Sequence, residues 1–145
     1  MSEKAMQSDI RRPLYKGTSL SLAVVFGIVG MVFLLIPGDV LSFFNRISPG
    51  LGFTESPVQG TGFYLVLAVG YMYLVTILAG FMYRYPKNTV YPLLLCHGKI
   101  ASAVLSILLF AFHEPFLLYL GNGIVDGGIG IVVLIIYFHK KSVDK

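Results

Sequence analysis

Four long apolar stretches constrain the fold of this chain more than any other feature of its sequence. They cover about residues 18–36, 62–83, 91–112 and 116–138, and an α-helix needs roughly 20 apolar residues to cross a bilayer. Charged residues make up 12% of the 145 residues, against about 25% in soluble domains. The sequence therefore predicts an all-α integral membrane protein, one domain folded as an antiparallel up-down bundle of four transmembrane helices.

The basic residues are arranged by topology and form no surface patch. Nine of the 11 Lys and Arg lie before the first stretch, between the second and third, or after the fourth: Lys4, Arg11, Arg12, Lys16, Arg84, Lys87, Lys140, Lys141 and Lys145. The positive-inside rule then places both termini in the cytoplasm, with residues 1–17 and 139–145 as cytoplasmic arms and 39–60 as an external loop. Nucleic acid is not expected as a partner, because its binding needs a basic surface with interleaved aromatic residues.

The external loop carries a second helical pattern. Pro37 and Gly38 end the first stretch, because proline removes a backbone donor and the pair favours a turn. Residues 40–47 then place Val40, Leu41 and Phe44 on one helical face. This pattern predicts a short interfacial helix on the outer leaflet.

Cysteine usage and glycosylation signals bear on the compartment. The single cysteine, Cys96, lies within the third stretch and cannot form an intrachain disulfide. The sequence contains no N-x-S/T acceptor. We therefore expect a bacterial or archaeal cytoplasmic membrane, with the lipid bilayer as the main partner.

Two ionisable residues lie inside the apolar stretches, Lys99 in the third and Asp126 in the fourth. Counted from the cytoplasmic side, Lys99 lies roughly 12 Å deep and Asp126 roughly 18 Å deep, at about 1.5 Å per residue. A lysine side chain spans about 6 Å, and consecutive short-looped helices are usually neighbours, so an ion pair within the bundle is predicted. Two alternatives are a proton- or ion-coupled site at Asp126, and a Lys99 that snorkels to the headgroups.

Polar residues accompany this pair at helical spacing. Cys96, Lys99, Ser102 and Ser106 form one stripe of the third stretch, which is predicted to face other helices. Tyr71 lies half-way along the second stretch and needs a hydrogen-bond partner. The candidate intramembrane polar cluster comprises Lys99, Asp126, Asn122, Tyr71 and Ser102.

The fourth stretch is rich in glycine. Gly123 and Gly127 form a G-x-x-x-G pattern, which lets a neighbouring backbone approach closely. Gly130 lies on the adjoining face with Asn122 and Asp126. We interpret these glycines as helix-packing positions, with an unwound half-helix near Gly127 as the alternative.

His97 is the single histidine inside a stretch, and it lies about 200° around the helix from Lys99. Ligation of haem b by His97 would require a second axial ligand from another copy or subunit; the alternative is a packing or interfacial histidine. Cys96 and His97 are adjacent and no further ligand is suitably spaced, so no metal site is predicted. No nucleophile constellation accompanies these residues, and an enzyme is not expected.

These residues also resemble a known group. The chain is similar to small four-helix bacterial inner-membrane proteins of the DoxX-like and related types in its Pro37 end of the first stretch, Gly70-Tyr71, Gly98-Lys99 and Asp126-Gly127. The resemblance implies a compact antiparallel four-helix bundle with Lys99 and Asp126 facing inward. It carries no single activity that could be transferred.

Three functions are compatible with this sequence. The leading hypothesis is an accessory or scaffold subunit whose glycine-faced fourth stretch and interfacial loop pack against a membrane complex or, in a homo-oligomer, against another copy. The second is a proton- or ion-coupled small-molecule transporter that acts as an oligomer with Asp126 as the titrating carboxylate. The third is a haem- or quinone-associated electron-transfer subunit that uses His97.

Overall fold

The computed structural model describes residues 3–141, and the side chains of residues 13–138. Its elements are α1 (Glu3–Leu35), α2 (Pro37–Ile47), a 3₁₀ turn (Pro49–Leu51), α3 (Gly62–Arg84), α4 (Val90–Phe112) and α5 (Leu117–Lys141). The predicted all-α fold, with four long helices and a short helix after the first, is confirmed.

Four of these helices are long and apolar enough to cross a membrane, which makes the chain a multi-pass membrane protein. Their apolar segments are Pro13–Leu35, Gly62–Arg84, Val90–Phe112 and Leu117–Phe138. A helix of 23 residues such as α3 spans about 35 Å at 1.5 Å per residue, which exceeds the roughly 30 Å hydrocarbon core. The segments agree with the apolar stretches of the sequence to within a few residues, apart from the start of the first.

The first helix begins earlier than the sequence pattern predicts. α1 runs without interruption from Glu3 and contains Pro13, so the helix includes most of the residues 1–17 that are predicted as a cytoplasmic arm. Hydropathy marks where the membrane begins, whereas a helix once nucleated extends into polar sequence at little cost per residue. At the other end, Ile36 separates α1 from α2, and Pro37 occupies the first turn of α2, where its missing donor is not needed.

The four long helices pack as two pairs. α1 lies mainly against α3, and α4 lies mainly against α5, while the two pairs meet chiefly through α3 and α4. The start of α1 and the end of α5 lie at one end of the bundle, which we call the terminal end. The opposite end carries α2 and residues 48–61, and we call it the loop end.

The apolar core fills the terminal half of the bundle. Its central residues include Tyr15 of α1, Met82 of α3, Leu95 of α4 and Val133 of α5. These positions lie toward the terminal end of each helix, and all four side chains are buried. The loop half has no comparable apolar filling among the described residues, so the two halves of the bundle differ.

The loop end is fastened by specific contacts. The Asn45 side chain donates to the Ser56 carbonyl oxygen at 2.8 Å and accepts from the Ser56 backbone amide at 2.9 Å. The ring of Phe53 packs on that of Phe110 of α4, with centroids 5.5 Å apart. These contacts hold residues 48–61 against α2 and the α4 end of the bundle.

Candidate functional site

A buried ion pair lies where the two helix pairs meet. Lys99 Nζ of α4 donates to Asp126 Oδ1 of α5 at 2.7 Å. Lys99 is 0% exposed and Asp126 is 2% exposed. An ion pair without water is costly unless further contacts stabilise it, so the surroundings of these two charges decide what the pair can do.

The other helix pair provides two aromatic rings for the lysine. Lys99 Nζ lies 4.6 Å from the ring centroid of Phe26 of α1 and 5.0 Å from that of Tyr71 of α3. Cation–π contacts of this kind contribute on the order of 0.5–2 kcal/mol, more where water is excluded. The ammonium group therefore connects all four long helices: α4 carries it, α5 neutralises it, and α1 and α3 cover it.

A second set of hydrogen bonds continues along the same face of α4. Asn122 Nδ2 of α5 donates to Ser106 Oγ at 2.7 Å and to Ser102 Oγ at 3.2 Å. Nearer the terminal end, the Cys96 thiol donates to the Gly130 carbonyl oxygen at 3.5 Å. The structure thus brings the polar stripe of α4 together with the Asn122, Asp126 and Gly130 face of α5.

Two buried polar atoms in this network make no hydrogen bond to any described residue, Asp126 Oδ2 and the Tyr71 hydroxyl. Ser102 is close enough to the Tyr71 hydroxyl to interact with it, but not in the geometry of an ordinary hydrogen bond. A buried polar group left unsatisfied costs about 1–3 kcal/mol. The polar cluster therefore retains capacity to bind a hydrogen-bonding ligand.

A cavity of about 560 Å³ lies beside the polar cluster, toward the loop end. One wall is polar and consists of Tyr71, Ser102, Ser106 and Asn122. The other lining residues are mainly apolar and come from all four long helices: Phe33, Ala68, Met72, Gly98, Ala101, Leu105, Leu109, Leu118 and Tyr119. Its size falls in the range of about 300–1,000 Å³ that small-molecule sites occupy.

The glycines of α5 pack within the chain. A Cβ atom at Gly123 would lie 2.7 Å from Ile107 Cδ1 of α4, and one at Gly130 would lie 2.9 Å from Ile100 Cγ1. A Cβ at Gly127 would be in ordinary contact with Ala103, also of α4, at 3.5 Å. All three glycines therefore face α4, and this surface is not available to another protein.

His97 lies outside the cluster. Its side chain is exposed on the surface of α4, and Nδ1 is 2.8 Å from the Leu93 carbonyl oxygen of its own helix. Among the described residues, no three His, Cys, Asp or Glu side chains are grouped as metal ligands would be. Bis-axial ligation of haem by His97 would need the second axial ligand from another chain, so haem ligation stays a prediction.

Sequence reasoning missed Phe26 and the cavity. Phe26 is one apolar residue among many in the first stretch, and nothing in its spacing marks it as the ring that covers Lys99. The cavity depends on how far apart the two helix pairs lie, which hydropathy does not encode. The hydrogen bond between Asn122 and Ser106 could have been predicted, because both residues lie on the predicted inward faces of their helices.

Comparison of the chain with protein-family models, curated proteins and solved structures finds no match. The resemblance to DoxX-like membrane proteins therefore stays a prediction. The functional argument rests on the geometry of the polar cluster and the cavity.

Proposed function

We propose that this protein is a proton-coupled carrier of a small molecule in a bacterial or archaeal cytoplasmic membrane, with Asp126 as the proton-binding group. The observation that supports this proposal best is a buried Lys99–Asp126 pair next to a partly polar cavity, with Asp126 Oδ2 left without a partner. Intramembrane ionisable residues of this kind are characteristic of ion and proton pathways.

Proton binding at Asp126 is coupled to the contact between the helix pairs. The ionised carboxylate neutralises Lys99, and Phe26 of α1 and Tyr71 of α3 cover the resulting pair. Protonation of Asp126 would leave the ammonium without a counter-charge in a low-dielectric site, which is strongly unfavourable. The two protonation states of Asp126 therefore favour different distances between the helix pairs, as a coupled carrier requires.

The sidedness of the cavity follows from the proposed topology. The charge distribution places both termini in the cytoplasm, so the loop end faces outward and the cavity lies in the outer half of the membrane. The apolar core then closes the cytoplasmic half. We infer that this conformation is the outward-facing one, and that a carrier of only four spanning helices works as a homo-oligomer.

An accessory-subunit role has less support. Of the two surfaces that this hypothesis uses, the glycines of the fourth span are occupied, because Gly123, Gly127 and Gly130 pack against α4 of the same chain; the interfacial loop is the surface that remains. A haem- or quinone-associated role relies on His97, whose ring lies away from the polar cluster. An absorption spectrum of the purified protein would reveal a bound haem directly.

Proteoliposomes loaded with a pH-sensitive dye test the proposal. A pH gradient is imposed, and three probes that share one apolar body are added in turn: 4-phenyl-1-butanol, 4-phenylbutylammonium and 4-phenylbutyrate. We expect at least one probe to collapse the gradient faster than it does in protein-free vesicles when the wild type or the lipid-facing control Val125→Ile is present, and at the protein-free rate with Asp126→Asn. Equal rates for the wild type, Asp126→Asn and protein-free vesicles with all three probes would contradict a carrier function.

A further inference from the structure

We propose that the cavity of the loop half binds an uncharged amphipathic molecule, whose hydroxyl-type head lies against the polar wall and whose compact apolar body lies against Phe33, Leu105 and Leu109. The proposal deepens the carrier function by naming its ligand class, and its significance for transport rests on that function. Binding itself is tested independently of transport.

The charges around the cavity exclude an ionic ligand. Lys99 and Asp126 neutralise each other at 2.7 Å, and neither is among the residues that line the cavity. The lining residues carry no charged side chain. An ammonium or carboxylate ligand would therefore lose its hydration without gaining a counter-charge in the cavity. Burial of an unpaired charge in a low-dielectric site is strongly unfavourable.

The hydrogen-bonding groups of the polar wall fit a head that both donates and accepts. The Ser102 and Ser106 hydroxyls accept from Asn122, and each still carries a proton that it can donate. The Tyr71 hydroxyl makes no hydrogen bond to a described residue and can either donate or accept. A hydroxyl head satisfies both kinds of group, whereas an ether or a ketone could only accept.

Tyr71 links the bound head to the ion pair. Its ring packs against the apolar core and lies under the Lys99 ammonium, and the same residue lines the cavity. A ligand head that moves this ring therefore acts on the lysine that neutralises Asp126, which would connect occupancy of the cavity to the protonation of Asp126.

Binding of the three phenylbutyl probes to purified protein in detergent tests the ligand class, with thermal unfolding as the readout. Because a ligand that binds the folded state raises the unfolding midpoint according to its concentration and affinity, 4-phenyl-1-butanol should give a saturable increase. We expect the ammonium and carboxylate probes to need at least about tenfold higher concentration, since each must bury an unpaired charge.

Two matched variants assign the binding to this cavity. Ala68→Phe adds a ring to a lining position of α3, whereas Leu67→Phe adds the same ring to an exposed neighbour. The response to the alcohol should disappear in Ala68→Phe and persist in Leu67→Phe. Ser102→Ala should weaken it by about 2- to 10-fold, the loss expected for one hydrogen bond.

Several outcomes would overturn the ligand class. These are tighter binding of either ionic probe, an unchanged response in Ala68→Phe, and no saturable response to the alcohol up to its solubility. Alcohol binding without proton flux above the protein-free rate for any probe would refute the carrier function and leave this inference standing. Proton flux that an ionic probe drives above the protein-free rate, and that Asp126→Asn abolishes, would support the carrier function and refute the inference.

Discussion

At the scale of single residues, Lys99 is the least expected side chain to find without water contact. Its ammonium group has one carboxylate oxygen and two aromatic faces as neighbours. Replacement of a buried ion pair by apolar residues of similar volume is often neutral or stabilising. Stability alone therefore does not account for the pair.

Double-mutant analysis tests the energetic partnership of Lys99 and Asp126. Lys99→Met or Asp126→Leu alone should lower stability by about 3–5 kcal/mol, because each leaves an uncompensated buried charge. The double variant should recover most of that loss, measured by unfolding in detergent. Additive effects of the two substitutions would show that the residues are not coupled.

The partnership of these residues was predictable, whereas their surroundings were not. The position of a residue along a spanning helix determines its depth in the membrane, so the sequence alone predicts that Lys99 lies within reach of Asp126. Phe26 and Tyr71 contact the ammonium only because the faces of α1 and α3 that carry them are turned toward α4. The orientation of a helix about its axis depends on packing between helices that are distant in sequence. The unpaired Asp126 Oδ2 follows from the same packing.

At the scale of helices, α4 and α5 form the most closely approaching pair. The side chains of Ile100 and Ile107 fill the spaces that Gly130 and Gly123 leave open. Small residues at such contacts let helix backbones approach and add dispersion contacts where no hydrophobic effect operates. The close approach also sets the distance at which Lys99 and Asp126 meet, so the packing of α5 and the geometry of the ion pair are not independent.

Substitution of the α5 glycines separates the effect of a close contact with α4 from the effect of replacing a glycine in a helix. Gly123→Ile and Gly130→Ile should each destabilise the protein by about 1–3 kcal/mol or more, because the new side chain must displace an isoleucine of α4. Gly128→Ile is the matched control, since a Cβ there meets nothing within 4 Å. Melting in detergent should separate the three variants; equal midpoints would place the α5 glycines at the lipid surface.

The G-x-x-x-G pattern predicted a close helix contact and left its partner open. The sequence could not distinguish contact within the chain from contact with another protein, because both demand the same small residues. Residues 113–116 form a short connection between α4 and α5, which favours the neighbouring helix. The structure assigns the contact to α4.

At the scale of the whole molecule, the bundle is asymmetric along its length. The terminal half is filled by apolar side chains, and the loop half contains the cavity. The ion pair lies at the boundary between them. The direction of insertion into the membrane therefore determines which half of the bilayer contains the cavity.

Cysteine accessibility tests the direction of insertion. In a Cys96→Ala background, Glu55→Cys in the loop end should react with an impermeant maleimide in intact cells. Lys87→Cys, between α3 and α4, should react only after permeabilisation, since the positive-inside rule places it in the cytoplasm. Both positions are exposed, so the opposite labelling pattern would reverse the proposed topology and the sidedness of the cavity.

The pairing of α1 with α3 and of α4 with α5 also affects the synthesis of the protein. The first pair can assemble as soon as residue 84 has entered the membrane, but Lys99 then enters with α4, 27 residues before its counter-charge. A lone lysine at the centre of a span costs about 2.5–3.5 kcal/mol on insertion scales. At about 5–20 residues per second, α4 spends a few seconds with an unpaired lysine before Asp126 is synthesised.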